Sequence, residues 1–170
     1  MASLNTNQFI AETITDTHVV FLRGPFSNFH HCCIQYGNVT FKNSEQLFMY
    51  LKAKHFNDNQ TAAQITGTPN PAEAKRLGRQ VKGFIASQWE QAAYDAMLLA
   101  CTLKFKQNHS LRTMLLNTGD KELVEANQKD RRWSCGYYPT DPRCLDESKW
   151  YGTNWLGKIL MEVRNQLKEE

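Results

Sequence analysis

Asn43-Ser44-Glu45-Gln46-Leu47-Phe48-Met49-Tyr50-Leu51-Lys52-Ala53-Lys54-His55-Phe56 is the stretch from which the fold can be read. Asn43 or Ser44 can cap a helix, and Gln46, three residues after Asn43, approximates a capping box. Leu47, Phe48, Tyr50, Leu51 and Lys54 carry that helix towards Phe56. Just upstream, Cys32 to Tyr36 and Val39-Thr40-Phe41 flank Gly37-Asn38, a pairing of β-type runs across a turn that predicts a hairpin. Farther back, Thr17-His18-Val19-Val20-Phe21-Leu22 is β-branched and aromatic and reads as a strand. Gly24-Pro25 ends it, and Phe26-Ser27-Asn28-Phe29 forms a loop. Strands thus give way to helix at residue 43.

Beyond this junction the chain is mostly helical. A short helix is expected around Thr61 to Ile65, a break at Gly67-Thr68-Pro69, and a helix from Pro71 through Ala72 to Gln80, proline suiting a first turn. From Gly83, Phe84, Ile85, Trp89, Ala93, Met97, Leu98, Cys101 and Phe105 recur at helical spacing, the longest such pattern. Leu111 to Leu116 gives another short helix, closed by Thr118-Gly119, and Leu123-Val124-Glu125-Ala126 reads as a short strand. Residues 127 to 154 are loop-rich, and a terminal amphipathic helix runs from about Trp155 to Leu167. The expectation is an α+β fold: one mainly helical domain with a small N-terminal antiparallel sheet.

Composition agrees with one domain. The 170 residues are 41% hydrophobic and 22% charged, without a disorder signature. A net charge of +3, with 20 Lys and Arg scattered among 17 acids, argues against a dedicated duplex DNA binder and suits a small phosphate-bearing ligand. Five cysteines, an odd number at irregular spacing, do not form a secreted disulfide framework. His30-His31-Cys32-Cys33 has metal-ligand composition, but neighbours on a strand face opposite sides, so no metal site is expected. Met1 to Asn7 lacks the basic start and apolar run of a signal peptide, and no run is long enough for a membrane helix. A reducing cytoplasm is the expected setting.

Three groups of residues carry chemistry. Glu45 and Lys52 lie seven residues apart on the first helix, about 700° of rotation and about 10 Å of rise, so they leave the same face and could straddle a small ligand. Glu45 also sits in the first turn, where the helix dipole favours its ionised form. Asp130-Arg131-Arg132-Trp133-Ser134-Cys135-Gly136 puts an acid, cations and an indole in one loop, where a ring can stack on a base and a carboxylate can stabilise an oxocarbenium-like centre. Lys75, Arg76 and Arg79 could grip a phosphate. There is no GxSxG, no P-loop and no dinucleotide-type GxGxxG.

Taken together, these stations resemble the YbiA-like family, also called the NADAR domain. The matching pieces are Gly24 to Phe29, Ser44-Glu45-Gln46 with Lys52-Ala53, Leu77-Gly78-Arg79, Trp89, Lys104-Phe105, and Leu115-Leu116 with Thr118-Gly119. Leu123 to Ala126, Asp130 with Trp133 and Gly136, and Gly152 to Gly157 with Leu160-Met161 and Arg164 complete the set, which covers about residues 20 to 167. The resemblance implies a compact α+β fold and hydrolysis of an N-glycosidic bond. It also implies the substrate class: phosphoribosylamino-pyrimidine intermediates of riboflavin synthesis, or ADP-ribose on guanine of nucleic acid. It makes Glu45 the leading catalytic carboxylate, with Lys52 and Asp130 as partners, and gives Phe26, Asn28, Trp89, Trp133 and Asn154 as pocket residues beside Arg79. It implies no cofactor and no metal. Two departures, Ser134 where many relatives carry glycine and a longer stretch between Tyr137 and Trp150, are expected on the loop bordering the ligand. The alternative reading is a module that binds ADP-ribose or a related nucleotide without cleaving it.

Overall fold

A computed structural model describes residues 9–170; the reading of Met1 to Asn7 lies outside them. In chain order the elements are β1 (Thr13–Ile14), β2 (His18–Phe21), β3 (Ile34–Tyr36), β4 (Val39–Phe41), α1 (Ser44–His55), α2 (Asn59–Thr66), α3 (Pro71–Gly78), α4 (Ala86–Gln107), α5 (His109–Leu116), β5 (Glu122–Glu125) and α6 (Trp155–Lys168). Two short 3-10 turns, Pro142–Leu145 and Glu147–Lys149, interrupt the last long loop.

The junction at residue 43 forms as its residues dictate. Asn43 Oδ1 accepts from the backbone N–H of Gln46 at 2.8 Å, satisfying an orphan donor of the helix start. The Gln46 side chain reaches back one residue farther than a standard capping box, accepting from the N–H of Lys42 at 2.8 Å. Its amide donates to the carbonyls of Ile65 and Thr68, which ties α1 to the end of α2. Ser44 through Met49 are all buried, so the start of α1 is an interior element and not a solvated amphipathic face.

The β3–β4 hairpin turns at Gly37-Asn38 as expected, with Ile34 opposite Phe41. β1 and β2 are also antiparallel. The sequence did not show that β5, a hundred residues downstream of β2, joins the sheet parallel to it, in the order β1-β2-β5 with Val19 beside Leu123 and Phe21 beside Glu125. Alternate residues of this pair then face opposite ways. Val19, Phe21 and Leu123 enter the main core under the helices, whereas Val20 and Val124 enter a smaller cluster with Ala126, Cys135, Tyr137 and Cys144.

α4 starts later than its periodicity suggests. Gly83 takes φ +72°, and Phe84 and Ile85 remain exposed ahead of Ala86. Phe84 instead packs edge-on against Phe56, with ring centroids 5.4 Å apart. Among the described residues, no helix is long and apolar enough to cross a membrane.

Candidate functional site

Parallel pairing sends the loops that follow β2 and β5 out of the same end of the sheet, the position at which parallel strands hold their ligands. A cavity of about 600 Å³ opens there. One wall is the loop after β2, from Leu22 to His31; the opposite wall carries Glu125, Asn127, Asp130 and Trp133; Glu45, Phe48 and Met49 of α1 and Met97 of α4 form the floor, with Lys75 of α3 at the side.

The loop after β2 is built on two supports. Gly24 adopts φ +85°, and an added Cβ would press on Phe9 and the carbonyl of Ile10. Phe26 is fully buried against Phe21 and Phe105, so it anchors the loop from below and does not reach the cavity. The buried Lys104 ammonium donates to the carbonyl of Ser27 at 2.8 Å; burial lowers its proton affinity. Asn28 is then locked to α1: its carbonyl accepts from the N–H of Glu45 at 3.1 Å, and its Oδ1 accepts from the Ser44 hydroxyl at 2.9 Å. Among the described residues its amide nitrogen has no protein partner, which leaves two N–H donors for the cavity.

Glu45 is 6% exposed, and among the described residues neither carboxyl oxygen has a hydrogen-bond or ion-pair partner. Burial pushes its pKa up to about 7; Lys75 pulls against the rise and Asp130 adds to it. The helix dipole expected from the sequence favours the ionised form, and burial, which the sequence did not show, acts in the opposite direction. Lys52 does leave the same face of α1, but its ammonium lies 4.4 Å from the Phe84 ring centroid and does not line the cavity. The cations that do line it are Lys75 and Arg23, and Arg23 is paired with Glu12. Arg79, an exposed residue at the end of α3, lies outside the wall, and Arg76 is held by Glu73.

Across the cavity, Asp130 accepts through one oxygen from the N–H groups of Arg132 and Trp133, at 3.0 and 2.9 Å, and its other oxygen has no protein partner among the described residues. Trp133 lines the cavity and meets Phe48 edge-on at 5.3 Å. Trp89 lies one layer deeper, against Phe48, His55 and Phe56, and supports the floor without touching the cavity. Ser134 is a hub. Its hydroxyl oxygen lies 2.5 Å from the carbonyl of Asp130 and 2.7 Å from that of Asn127, and accepts from the N–H groups of Asn127 and Gly136.

Asn154 is fully buried in the left-handed conformation, φ 48° and ψ 43°, a region asparagine tolerates better than most residues. Its side chain bridges the end of β5, donating to the carbonyl of Leu123 and accepting from the N–H of Glu125. It is a brace for the wall, not a part of its surface. The expectation that the 137–150 stretch borders the ligand is likewise corrected. Its Tyr137 and Cys144 cover Val20 and Val124 on the far face of the sheet.

Sequence reasoning missed Glu125 as a site residue, although it lay inside a recognised station. Its side chain lines the cavity without a protein partner among the described residues. Burial, then Asp130 and Glu45, raise its pKa well above the ordinary carboxyl range. His30 and His31 were also set aside; both line the loop wall, and burial lowers the pKa of His30.

The model of the NADAR domain matches residues 18–168. The protein irg-1 of Caenorhabditis elegans is 36% identical over 183 residues, covering 96% of this chain and 86% of the worm protein. N-glycosidase YbiA of Escherichia coli K12 is 32% identical over 168 residues, covering 96% of each chain. The NMR structure of E. coli YbiA superposes with a TM-score of 0.75 at 31% identity, covering 95% of this chain and 91% of that one. A third relative, named a riboflavin biosynthesis protein in Vibrio vulnificus, is 32% identical over 146 residues, 86% of this chain and 36% of its own length. On sequence and on fold alike, the chain belongs to the NADAR domain family.

Proposed function

We propose that this protein is an N-glycosidase, a hydrolase that cuts the bond between ribosyl C1′ and a departing nitrogen base, and that its substrate carries phosphate on the ribosyl side. The carrying observation is the pair of unpartnered carboxyls, buried Glu45 and half-buried Glu125, that face a cavity also lined by Asp130. Leaving carboxyls without partners is costly, and native proteins do so mainly where chemistry uses them. A module that only bound an anionic nucleotide would gain nothing from this cluster. A reaction that builds positive charge at C1′ gains directly, because the charge forms beside groups already in place.

The two walls divide the labour. Lys75, with the Asn28 amide, holds the phosphate and ribose hydroxyls, and Trp133 offers a face to the base. Asp130, oriented by two backbone N–H groups, presents its free oxygen to a water, and ionised Glu45 stabilises the developing charge. The name of YbiA supports cleavage of an N-glycosyl bond, and that of the Vibrio relative, a riboflavin biosynthesis protein, makes a phosphoribosylamino-pyrimidine the first substrate to try. ADP-ribose on guanine of a nucleic acid is the second.

Incubation of the protein with each substrate, followed by chromatography of released base and ribose phosphate, tests the reading. Release from at least one, lost by more than about 100-fold in Glu45→Gln, is the expected result. Tight binding of both substrates with no release would return the molecule to a binding role.

A further inference from the structure

A nitrogen base does not leave easily as an anion, so the reaction needs a proton donor beside the charge stabiliser. We propose that Glu125 is that donor, the general acid that protonates the departing nitrogen; the assignment rests on the N-glycosidase reading above.

Placement argues for it. Glu125 ends β5, where its N–H is held by Asn154 Oδ1 at 3.0 Å and its carbonyl accepts from the N–H of Cys135 at 2.9 Å. With the backbone fixed on both sides, the side chain lines the cavity that Glu45 of α1 also lines, and no cation pairs with it among the described residues. The titratable groups around it are Asp130 and Cys135 on the following loop, Glu45 on α1, Lys75 on α3 and Cys101 on α4, and Arg23, His30 and His31 of the loop after β2 line the same cavity. The two carboxylates favour the protonated form of Glu125, Lys75 opposes it, and burial outweighs both. A carboxyl that keeps its proton while its neighbours ionise is the environment a general acid requires.

The step balances. The C1′–N bond breaks, its electron pair goes to nitrogen, and that nitrogen takes the Glu125 proton. Water attacks C1′ and gives its proton to Asp130, and solvent exchange restores both carboxyls. The products are ribose phosphate and the neutral base.

The test is leaving-group dependence. Wild type and Glu125→Gln are compared on a phosphoribosylamino-pyrimidine and on 4-nitrophenyl ribofuranoside 5-phosphate, whose phenolate leaves without a proton. Glu125→Gln should lose about 100-fold or more on the amine substrate and less than about tenfold on the nitrophenyl one. Equal losses on both, or no loss on either, would overturn the assignment. Wild-type pH profiles supply an answer that needs no folded variant: the fall in rate at high pH should appear with the amine and vanish with the nitrophenyl substrate. A fall of equal size with both would also overturn it. If wild type cleaves neither compound nor the ADP-ribosyl one, the glycosidase reading itself fails, and this assignment with it.

Discussion

Asp58 and Glu45 are both buried carboxylates at helix starts, one capping α2 and the other in the first turn of α1, yet they are treated in opposite ways. Asp58 Oδ1 accepts from the N–H of Thr61 at 3.0 Å, and Oδ2 accepts from that of Lys82 at 2.8 Å. These bonds hold its pKa down to about 2. Glu45 receives no such bond, and burial drives it to about 7. Position on a helix therefore does not decide the state of a carboxylate; its hydrogen-bond partners do. A carboxyl the fold uses is saturated, and a carboxyl the chemistry uses is left open.

The contrast also sets opposite pH dependences. The folded pKa of Glu45 lies above its ordinary value, so its contribution to stability is whole below about 4.5 and is lost as pH rises through about 7. The folded pKa of Asp58 lies below its ordinary value, so its contribution is whole above about 3.8 and is lost as pH falls through about 2.

Four substitutions sharpen or break the comparison. The largest effect belongs to Glu45→Gln, which should lower kcat by about 100- to 1,000-fold while raising stability at pH 8 by up to about 3 kcal/mol, a gain that fades towards pH 4.5. Urea unfolding at the two pH values, beside a turnover assay, reads both halves. Next is Asp130→Asn, expected to cost about 100-fold in turnover with little change in unfolding, since the amide oxygen still accepts from Arg132 and Trp133. Asn154→Ala comes third: with the β5 brace gone, kcat should fall about tenfold, and hydrogen exchange at Glu125 should accelerate. Last is Asp58→Ala, which should lower the melting temperature by several degrees and leave kcat/KM unchanged. If Asp58→Ala impaired turnover as much as Glu45→Gln, the division between saturated and open carboxyls would not stand.

Much of this was legible in the sequence where local rules act. The Asn43 cap, the Gly37-Asn38 turn and the helix that carries Glu45 in its first turn all follow from neighbours within a few residues. The parallel docking of β5 on β2 was not legible, because four residues pairing across a hundred leave no periodic mark. That pairing is what brings Glu125 to the cavity, so missing one meant missing the other. Glu45 and Lys52 do share a helix face, but rotation along an axis says nothing about how far a long side chain travels, and Lys52 settles on Phe84 while Lys75 takes the wall. Phe26, Trp89 and Asn154 were expected at the pocket, and the structure places each one layer behind it. Resemblance marks residues that a site needs without separating those that touch a ligand from those that hold the touching residues still.

Titration of the Glu45 side-chain carboxyl by carbon-13 NMR, in the ligand-free protein and identified by its loss in Glu45→Gln, tests the central claim most directly. A buried carboxyl without a partner at the cavity floor should titrate near pH 7. A midpoint at or below 4.5 would mean that Glu45 is solvated or paired, and the chemistry built on it would fall.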